Sequence, residues 1–580
     1  MNVKKIISLS ILCYIAIAGT AFAQTSPSYD QSWNVTGGGG GQADSANYST
    51  QGTTGQSIIG ISASNNTSNN MTGAGYWYGA ESAPGCAPPL SGDWNVVSRI
   101  ECNDITINLN GSLNIIAPGG DLSFNNVTLL MNVTKMGQYS INVNGGKFFI
   151  NSKNGVGSNI TNGQNKSAFY TFKVNSGSTF QMRNSTVSDA GTGLLLPDFS
   201  NNGLWIDTDS VVLENNTIRN NHFDGIYLNR SNNARIINNV IFSNRHGING
   251  ITTNNINITG NRIFKNTEHG IVLWAAAASN ISWNRVNNSG YDGIVLSNAP
   301  NAIVDSNNAS YNGDDGIVII SSPGSIVPNN TVNNNRRGIY VGSSDNVRSD
   351  RNTVLNNRWY GIHLEASDSN SISKNYINAT RGELDSRAVY LSYSSYSTIN
   401  DNVINDNMKG ISLYYSTDAN ISNNKVNFTK GDLESKAVYR SNSSGSSVTR
   451  NIVYDNYDGI ILWDSPDSVL TDNTAILNSN GIMLKKSGNS LISRNYARSN
   501  SAGISVDSSD YVNINNNTAI QGSTGISIQS SNYGGINDST ASNNANGISL
   551  GSSNYNTIFN NTAEGNSYGI SLSSSSRNTI

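Results

Sequence analysis

A Gly-Ile pair recurs along this chain at nearly constant spacing, and this repeat limits the fold more than any other feature. The pairs run from Gly225 and Gly247 to Gly569, and with Ala388 and Ala437 in two of the glycine positions the steps are 22 or 23 residues, with two steps of 27. Apolar residues alternate with other residues after the glycine, as in Ile226 and Leu228. Alternation with period two indicates a short strand that has one buried face, and a fixed period of this length is typical of solenoids.

A second apolar position follows each strand, as in Ile236 and Ile258, and Asn-rich turns separate the two positions. Such coils stack like residues on like residues with a rise of ~4.8 Å per coil, and parallel crossovers favour right-handed winding. We therefore predict an all-β fold, a right-handed parallel β-helix with coils of 22 to 23 residues. A leucine-rich-repeat horseshoe would carry leucines at a different rhythm, and a disordered chain would not keep both apolar columns.

Asparagine and glycine have distinct predicted roles in these coils. Stacked Asn side chains, as at Asn238 and Asn239, are expected to bond to one another and to the backbone at the corners. The repeated glycine, as at Gly247, is expected to permit a backbone bend that a Cβ atom would resist. Gly250 and Arg440 are the two exceptions in the apolar column.

Composition divides the chain into four segments. Lys4 and Lys5, an apolar run and the tripeptide Ala21-Phe22-Ala23 predict a signal peptide. No later stretch is long and apolar enough to cross a bilayer, so we predict a secreted protein without a transmembrane segment, extracellular, on the cell surface or periplasmic. The segments are 1–23, the signal peptide; 24–83, a Gly/Ser/Asn-rich β module or linker; 84–202, irregular N-terminal coils that cap the β-helix; and 203–580, regular repeats.

Each end of the predicted solenoid carries a structural expectation. Cys86 and Cys102 are the cysteines that remain after removal of the leader, and we expect one disulfide between them in an oxidising compartment. Ile580 falls on the second apolar position of an unfinished coil. Because solenoids need a cover at their ends, we expect either further sequence or a partner over the C-terminal coil.

The charge balance excludes one class of partner. Lys and Arg total 35 against 38 Asp and Glu, and charged residues make up 13% of the chain. Nucleic-acid binding through phosphate contacts requires a basic field. We therefore expect no nucleic-acid partner.

Charged and aromatic side chains form one column at the position just before the repeated glycine. Consecutive members should lie one coil, ~4.8 Å, apart. Acid and imidazole groups at this spacing can perform acid–base chemistry on a sugar ring, and arginines can bind uronate carboxylates with two hydrogen bonds. The candidate catalytic residues are Asp224, His246, His269, Asp292 and Asp315. The substrate-binding candidates in or beside this column are Arg245, Arg337, Arg358 and Tyr360.

Further aromatic side chains occupy outward positions of the predicted strands. Two residues after the glycine stand Tyr227, Tyr340 and His363, and four residues after it stand Trp274 and Trp463. Exposed aromatic rings suit stacking against sugar rings, and the last coils carry serine at the first of these positions. We therefore add Tyr340, His363, Trp274 and Trp463 to the substrate-binding candidates and expect the site to end near Trp463.

Two other interpretations of the column stay open. Asp292, Asp314 and Asp315 together could bind Ca²⁺, whose preferred ligands are oxygen atoms. No other cofactor is indicated. A polar corner that faces water, with charges that alternate to avoid repulsion between like charges, would give the same pattern.

The repeat unit Gly-Ile-x-Leu-x-x-Ser-x-x-x-x-Ile-x-x-Asn resembles the parallel β-helix repeats of NosD-type proteins and of the carbohydrate-binding and sugar-hydrolysing, pectin-lyase-like β-helices. The resemblance covers residues 203–580 and implies the β-helix fold. It leaves the activity open, because the group includes polysaccharide lyases, uronate epimerases, surface proteins without known chemistry, and NosD, a periplasmic helper of copper-enzyme maturation.

Two stretches are similar to mannuronan C5-epimerases with this fold: His222–Gly225, which reads His-Phe-Asp-Gly, and Arg245–Ile248, which reads Arg-His-Gly-Ile. Those enzymes carry an Asp-Pro-His-Asp run soon after the first stretch, where this chain has Tyr-Leu-Asn-Arg at Tyr227–Arg230. This departure argues against epimerase activity. Copper handling has little support either, because the 7 Met, the 4 His and the two cysteines form no cluster of soft ligands.

The leading hypothesis is an exported β-helix protein that binds extracellular acidic polysaccharide, with cleavage or epimerisation of that polysaccharide as an additional option. The alternatives are a non-catalytic surface or adhesion scaffold and a NosD-like periplasmic copper-enzyme maturation protein. The structure should separate these hypotheses. Side chains of His246, His269, Asp292 and Arg337 in mutual contact favour a site, and side chains splayed into solvent favour a scaffold.

Overall fold

The computed structural model describes residues 85–164, 167–193, 201–383, 385–429 and 435–580, together with the backbone of three short strands before them. The chain divides into two units, Met1–Ser82 and Ala83–Ile580. In the first unit, three antiparallel strands pair in sequence order: Gly41–Ser45, Tyr48–Gly52 and Ala63–Ser64. The predicted signal peptide lies outside the described residues.

The second unit is a parallel β-helix, which confirms the predicted fold class. Each coil places strands on up to three faces, and every strand pairs in parallel with its counterpart one coil later. Face 1 holds the strand that follows the repeated glycine. Its 21 strands are Trp94–Val96, Leu113–Ile116, Ser140–Asn144, Thr171–Val174, Leu204–Ile206, Asp224–Asn229, His246–Ile251, Ile271–Trp274, Ile294–Ser297, Ile317–Ile320, Arg337–Gly342, Tyr360–Glu365, Arg387–Ser392, Lys409–Tyr414, Lys436–Ser441, Asp458–Trp463, Asn480–Lys485, Ala502–Asp507, Thr524–Gln529, Asn546–Gly551 and Tyr568–Ser573.

Faces 2 and 3 together form one sheet of 37 strands. The two long first strands, Arg99–Leu109 and Asp121–Met131, span both faces. Face 2 continues with Lys147–Asn151, Thr179–Arg183, Val212–Glu214, Arg235–Ile237, Asn257–Thr259, Asn280–Ser282, Ile303–Asp305, Ile326–Pro328, Arg348–Asp350, Ser371–Ser373, Thr398–Asn400, Asn420–Ser422, Ser447–Thr449, Val469–Thr471, Leu491–Ser493, Asn513–Asn515, Gly535–Asn537 and Thr557–Phe559. Face 3 continues with Asn159–Asn162, Thr186–Ser188, Thr217–Arg219, Val240–Phe242, Arg262–Phe264, Arg285–Asn287, Asn308–Ser310, Thr331–Asn333, Thr353–Leu355, Tyr376–Asn378, Val403–Asn405, Lys425–Asn427, Ile452–Tyr454, Thr474–Ile476, Tyr496–Arg498, Thr518–Ile520 and Thr540–Ser542.

The core consists of stacked aliphatic columns. Ile226 pairs in register with Ile248, which pairs with Ile271, and all three side chains are fully buried. The second predicted column is buried in the same way, as at Ile236 and Ile258. A continuous apolar column removes area from water in every coil, at about 25 cal/mol per Å². This burial is the main force that holds the solenoid together.

An asparagine ladder closes the corner between faces 2 and 3. The Oδ1 atom of Asn284 accepts hydrogen bonds from the backbone N–H and from Nδ2 of Asn261, both at 2.9 Å. Nδ2 of Asn284 donates to the carbonyl of Ile258 at 2.8 Å. The bond from the backbone N–H to Oδ1 of the next asparagine repeats without a break from Asn216 to Asn517. The expected corner role of asparagine is therefore observed, and it satisfies backbone N–H groups that would otherwise be buried without partners.

The structure gives a different reason for the repeated glycine than the predicted backbone bend. Gly247 does not adopt a left-handed backbone conformation. A Cβ atom on Gly247 would lie 2.5 Å from the carbonyl oxygen of Gly270 in the next coil. The glycine column is therefore required because adjacent coils approach too closely for a side chain, and the predicted need for a bend is wrong.

Arg440 is one of the two residues that interrupt the apolar column in the sequence. It stands in register between Leu413 and Leu462, and its side chain is fully buried. Its guanidinium donates to the carbonyl of Ser443 and, at 3.4 Å, to Oγ of Ser468, while its Nε atom has no partner. The interior therefore holds one charged group where its neighbours hold leucine.

The first coils of this unit carry the pair of cysteines. Cys86 and Cys102 form a disulfide with their Cα atoms 4.8 Å apart. Cys102 lies in the first long strand and is fully buried in the core. In the part of the chain that the structure describes, no helix is long and apolar enough to span a membrane.

Candidate functional site

The column before the repeated glycine lies at the edge of face 1, and its side chains contact one another from coil to coil. His246 and His269 stack with ring centroids 5.3 Å apart and an interplanar angle of 13°. Nδ1 of His269 lies 3.2 Å from Oδ2 of Asp292. The backbone N–H of Asp315 donates to Oδ1 of Asp292 at 2.8 Å, and Asp315 binds Arg337 through its side chain. The structure thus brings the predicted acid, imidazole and arginine groups together.

These side chains also hold the backbone of the next coil. The N–H of His269 donates to Nδ1 of His246 at 3.3 Å, and the N–H of Asp292 donates to Nδ1 of His269 at 3.3 Å. The N–H of Arg337 donates to Oδ1 of Asp315 at 3.2 Å. An acceptor side chain at this position is therefore useful to the fold itself, because it satisfies a backbone donor at the edge of face 1.

The hydrogen bonds of His246 hold its ring in one tautomer. Its Nδ1 accepts the backbone bond, which leaves the proton on Nε2, and Nε2 lies 3.4 Å from Oε2 of Glu268. Burial, followed by the charges of His269 and Arg245, lowers the pKa of His246 to about 3. Oε1 of Glu268 also accepts a bond from Nε of Arg245 at 2.9 Å. Both nitrogens of His246 are engaged, so this histidine is poorly placed to exchange a proton with a ligand.

His269 is the more accessible of the two stacked histidines. Its Nδ1 faces both the backbone N–H and the carboxylate of Asp292, at 3.3 and 3.2 Å. In the tautomer that carries the proton on Nδ1, the ring donates to the Asp292 carboxylate instead of accepting from its backbone N–H, and Nε2 keeps its lone pair. The ring of Tyr291, which is about half exposed, lies 5.6 Å from the His269 ring. His269, Asp292 and Tyr291 therefore form the accessible part of the column.

Two carboxylates at the centre of the column are neutralised by arginines. Asp315, which is almost fully buried, receives two bonds from Nε of Arg337 at 3.0 and 2.9 Å. Asp314 forms an ion pair with Arg336. Burial and the neighbouring charge of Asp315 raise the pKa of Asp314 to about 6. Atoms of Asp292, Asp314 and Asp315 lie within 4.8 Å of one another, but the two guanidinium groups already supply the positive charge that Ca²⁺ would bring.

The next coils of face 1 carry rings and cations. His363 stacks on Tyr390 with centroids 4.8 Å apart at 12°, and it also contacts Tyr340 at 5.2 Å. The guanidinium of Arg337 lies 3.7 Å from the centroid of the Tyr340 ring, within the range of a cation–π contact. The hydroxyl of Tyr340 donates to the carboxylate of Glu365 at 2.9 Å. This half of the surface is aromatic and positive, where the preceding half is acidic and carries imidazoles.

Arg387 is the centre of this aromatic half. Its guanidinium lies 4.1 Å from the ring of Tyr390 and 5.8 Å from the ring of Tyr360. It also binds Asp385, and its Nε atom is buried without a partner. Burial, followed by the charges of Arg337 and Arg387, lowers the pKa of His363 to about 3. His363 is therefore neutral, and two adjacent cations keep it so.

The remaining predicted residues lie at the borders of this surface. Trp274 and Trp463 are 48% and 39% exposed, and Lys485 lies 4.7 Å from the ring of Trp463. Arg358 is exposed and makes no side-chain contact with the other candidates in the part of the chain that is described. Asp224 is fully buried and accepts a bond from Nδ2 of Asn249 at 3.0 Å. Burial raises the pKa of Asp224 to about 7, and its position makes it inaccessible to a polymer.

The expectation of an exposed ring fails at Tyr227, which is only 3% exposed. Prediction from the sequence also missed a row of outward valines on face 1, which pack together and against Tyr340. The row consists of Val272, Val295 and Val318. The sequence contains a signal for this row, because each valine stands between the two inward-facing residues that follow the repeated glycine. The three valines are buried, so the row supplies packing beside the acidic column and is not a stacking surface.

Comparisons with known proteins agree with this architecture. Residues 313–436 and 428–580 match the family described as periplasmic copper-binding protein (NosD), and residues 115–284 and 202–354 match the right handed beta helix region. No curated protein matches the chain significantly. Two enzymes are among the solved structures that match the chain, both at low sequence identity and low TM-score.

The first is the periplasmic alginate epimerase AlgG, at 15% identity and a TM-score of 0.36, where the match covers 52% of this chain and 76% of the other. The second is DFA-IIIase from Arthrobacter chlorophenolicus A6 in complex with GF2, at 14% identity and a TM-score of 0.31. That match covers 39% of this chain and 67% of the other.

Proposed function

We propose that this chain, a member of the right-handed parallel β-helix proteins with NosD-type repeats, binds an extracellular acidic polysaccharide along face 1 in the coils between Gly203 and Trp463. One observation carries the proposal. Acidic, imidazole, arginine and aromatic side chains from consecutive coils contact one another on a single face instead of standing apart in solvent.

The aromatic half supplies the binding surface. Tyr340, Tyr360 and Tyr390 present rings to which the apolar side of a sugar ring can stack, and Arg337 and Arg387 lie against those rings. A guanidinium has five N–H donors, and the pairs of Arg337 with Asp315 and of Arg387 with Asp385 use only part of them, so the remaining donors can bind a carboxylate. A uronate polymer carries both features, a ring and a carboxylate, in each unit.

The acidic half supplies the chemistry of a lyase or an epimerase. In both reactions the first step removes the C5 proton of a uronate, next to its carboxylate. The Nε2 atom of His269 takes that proton, with Asp292 orienting the ring through Nδ1. In cleavage, the C4–O bond then breaks, a C4–C5 double bond forms and the departing oxygen takes a proton from Tyr291. In epimerisation, a proton returns to C5 from the opposite side.

Distance decides which arginine takes part in that step. Arg337 stands three coils after His269, so the two are about 14 Å apart along the axis at ~4.8 Å per coil. Arg245 lies in the coil before His269, one rise away, and is partly exposed beside Glu268. Arg245 therefore neutralises the carboxylate of the reacting unit, and Arg337 binds a unit further along the polymer.

The protein acts outside the cytoplasm in this proposal. The predicted leader at residues 1–23 and the description of the matched NosD family as periplasmic support this location. Copper binding is not part of the proposal, because the donors of the matched residues do not fit it. The matched stretch from residue 313 to residue 580 contains His363, Met408 and Met483 as its soft donors, and the cations beside His363 oppose a metal cation.

A second function is favoured by a specific observation. The side chains of His246, His269, Asp292 and Asp315 accept backbone N–H bonds from the next coil, which is sufficient reason for their presence in a scaffold without catalysis. Under this alternative the column stabilises the solenoid, and the molecule serves as a surface or adhesion protein.

The experiment compares the wild type with H269A, with H246A/H269A and with the control S505A, an outward position of face 1 in the last coils. Each protein is tested on a panel of acidic and neutral polysaccharides for binding, for the ultraviolet absorbance of a new C4–C5 double bond, and for inversion at C5. We expect binding to acidic members and loss of turnover in H269A, with S505A unchanged. Equal binding by H246A/H269A and the wild type, together with reduced thermal stability, would assign the column to the scaffold.

A further inference from the structure

A second surface of this molecule carries unpaired positive charge. Face 3 presents Arg219, Arg262, Lys265 and Arg285 within four consecutive coils. Arg262, Lys265 and Arg285 are exposed. Among residues 201–383, which the structure describes, none of the four forms an ion pair. We refer to these four residues and the rings among them as the face 3 patch.

The acidic groups nearest to the face 3 patch in sequence are engaged elsewhere. Glu214 binds Arg183 at 3.3 Å, and Glu268 binds Arg245 at 2.9 Å. Arg262 and Arg285 stand directly in register, one coil apart. Like charges on directly opposite residues of neighbouring strands are destabilising. The chain as a whole has a net charge of −3, so this concentration of uncompensated cations is a local feature.

Aromatic rings are part of the same surface. Phe242 and Phe264 stack with centroids 5.0 Å apart and an interplanar angle of 10°. The guanidinium of Arg262 lies 4.5 Å from the centroid of the Phe264 ring. Trp283, two residues before Arg285, is 67% exposed. Stacking on Phe264 holds the Arg262 guanidinium in a fixed plane and leaves its N–H edge available to an anion.

The spacing defines the ligand. Arg262 and Arg285 stand one coil rise, ~4.8 Å, apart, and the stacked rings of Phe242 and Phe264 repeat at a similar interval. A linear polymer whose units carry one anionic group and one ring face satisfies both features. A flat array on a sheet suits an extended chain better than a compact anion, which would contact only one arginine.

We propose that the face 3 patch binds a polyanionic glycan, whether its charge is sulfate, phosphate or carboxylate. This site is separate from the surface of face 1 and does not depend on the function proposed for it. Charge complementarity carries the assignment to a polyanion, and the stacked rings favour a sugar polymer over a bare phosphate chain.

The test uses dextran sulfate, a sulfated glycan without uronate, so that binding to face 3 is distinguishable from any uronate chemistry on face 1. The variant R262E/R285E reverses two charges of the patch. The matched control K425E/R498E reverses two cations on face 3 that lie remote from the patch along the solenoid. We expect R262E/R285E to bind about tenfold more weakly or worse, a loss of about 1.4 kcal/mol, while K425E/R498E and H269A bind as the wild type does.

Binding should also weaken with added salt, because exposed charges are screened within about 8 Å at physiological ionic strength. A neutral variant, R262Q/R285Q, repeats the measurement with a smaller change of charge, and thermal unfolding establishes that each variant is folded. Equal affinity of R262E/R285E and the wild type, or an equal loss in K425E/R498E, would overturn the proposal. Binding to vesicles of anionic phospholipid without binding to dextran sulfate would overturn it in favour of a membrane surface.

Discussion

Replacement of Arg440 by leucine should stabilise the protein. Arg440 is the one charged side chain in a column where Leu413 and Leu462 are its neighbours in register. Burial lowers the pKa of Arg440 to about 9, against the opposing effect of the Asp418 charge, and its guanidinium donates to the carbonyl of Ser443. The substitution R440L removes the buried charge and continues the leucine column.

The pKa shift sets the scale of the effect. The lowering of the Arg440 pKa to about 9 corresponds to about 5 kcal/mol of unfavourable free energy for the charged group in the folded state. Leucine does not recover this in full, because it leaves the Ser443 carbonyl without its Arg440 donor, at a cost of about 1–3 kcal/mol. We expect a net gain of about 2–4 kcal/mol, which lies within the range found when buried ionic groups are replaced by apolar ones.

Hydrogen exchange at the amides of residues 409–463 is the appropriate assay, because a long solenoid need not unfold in a single step. A gain of 1.4 kcal/mol slows exchange tenfold where exchange reports the opening equilibrium. The control is R450L, which removes an exposed arginine nearby and should leave the exchange rates unchanged.

The pH dependence of the stability difference between R440L and the wild type provides a second test of this prediction. Because the pKa of Arg440 is lower in the folded state, the unfolded chain binds more protons above pH 9, and the wild type gains stability as the pH rises. R440L lacks this gain, so its advantage should shrink by about 1.4 kcal/mol per pH unit above 9. Faster exchange in R440L at pH 7, or an advantage that does not change with pH, would refute this reasoning.

Three further predictions concern single groups of the solenoid. N284A should lower the free energy of unfolding by about 2–4 kcal/mol, because it leaves buried backbone groups without partners, and N513A, at an exposed strand position, should change it little in urea denaturation. G247A should destabilise by about 1–3 kcal/mol through overpacking against the next coil; the control is G85A, whose Cβ would have no atom within 4 Å. The pKa of Asp224 is raised from 3.8 to about 7, so its carboxyl binds more protons in the folded state between these values, and its contribution to stability should fall as the pH rises from 4 to 7. The stability of the wild type relative to D224N should therefore fall over this range, and a difference that does not change with pH would exclude this contribution of Asp224.

The fold was predictable because the sequence pattern that specifies it is periodic. A column such as Ile226, Ile248 and Ile271 needs only the repeat length and the alternation to be placed in a common interior. The asparagine corners followed from the same spacing. The role of Gly247 did not, because the close approach of a carbonyl from the next coil depends on a distance between backbones that spacing in the sequence does not encode.

The candidate site was predictable in its order but not in its accessibility. The rise per coil placed His246 beside His269 and Asp315 beside Arg337, and these contacts are present. Burial of Asp224 and engagement of both nitrogens of His246 depend on side-chain packing across coils, for which the sequence pattern carries no signal. The central role of Arg387 arises from its surrounding rings for the same reason.

The central claim is that the outward side chains of face 1 act together as one binding surface for an acidic polymer. A crystal structure of the protein with an acidic tetrasaccharide tests it most directly. We predict that the ligand lies along face 1 in the coils from His246 to Tyr390, with a sugar ring against the aromatic half and a carboxylate at an arginine. A tetrasaccharide found on another face alone, or no bound ligand on face 1 at saturating concentration, would contradict the account.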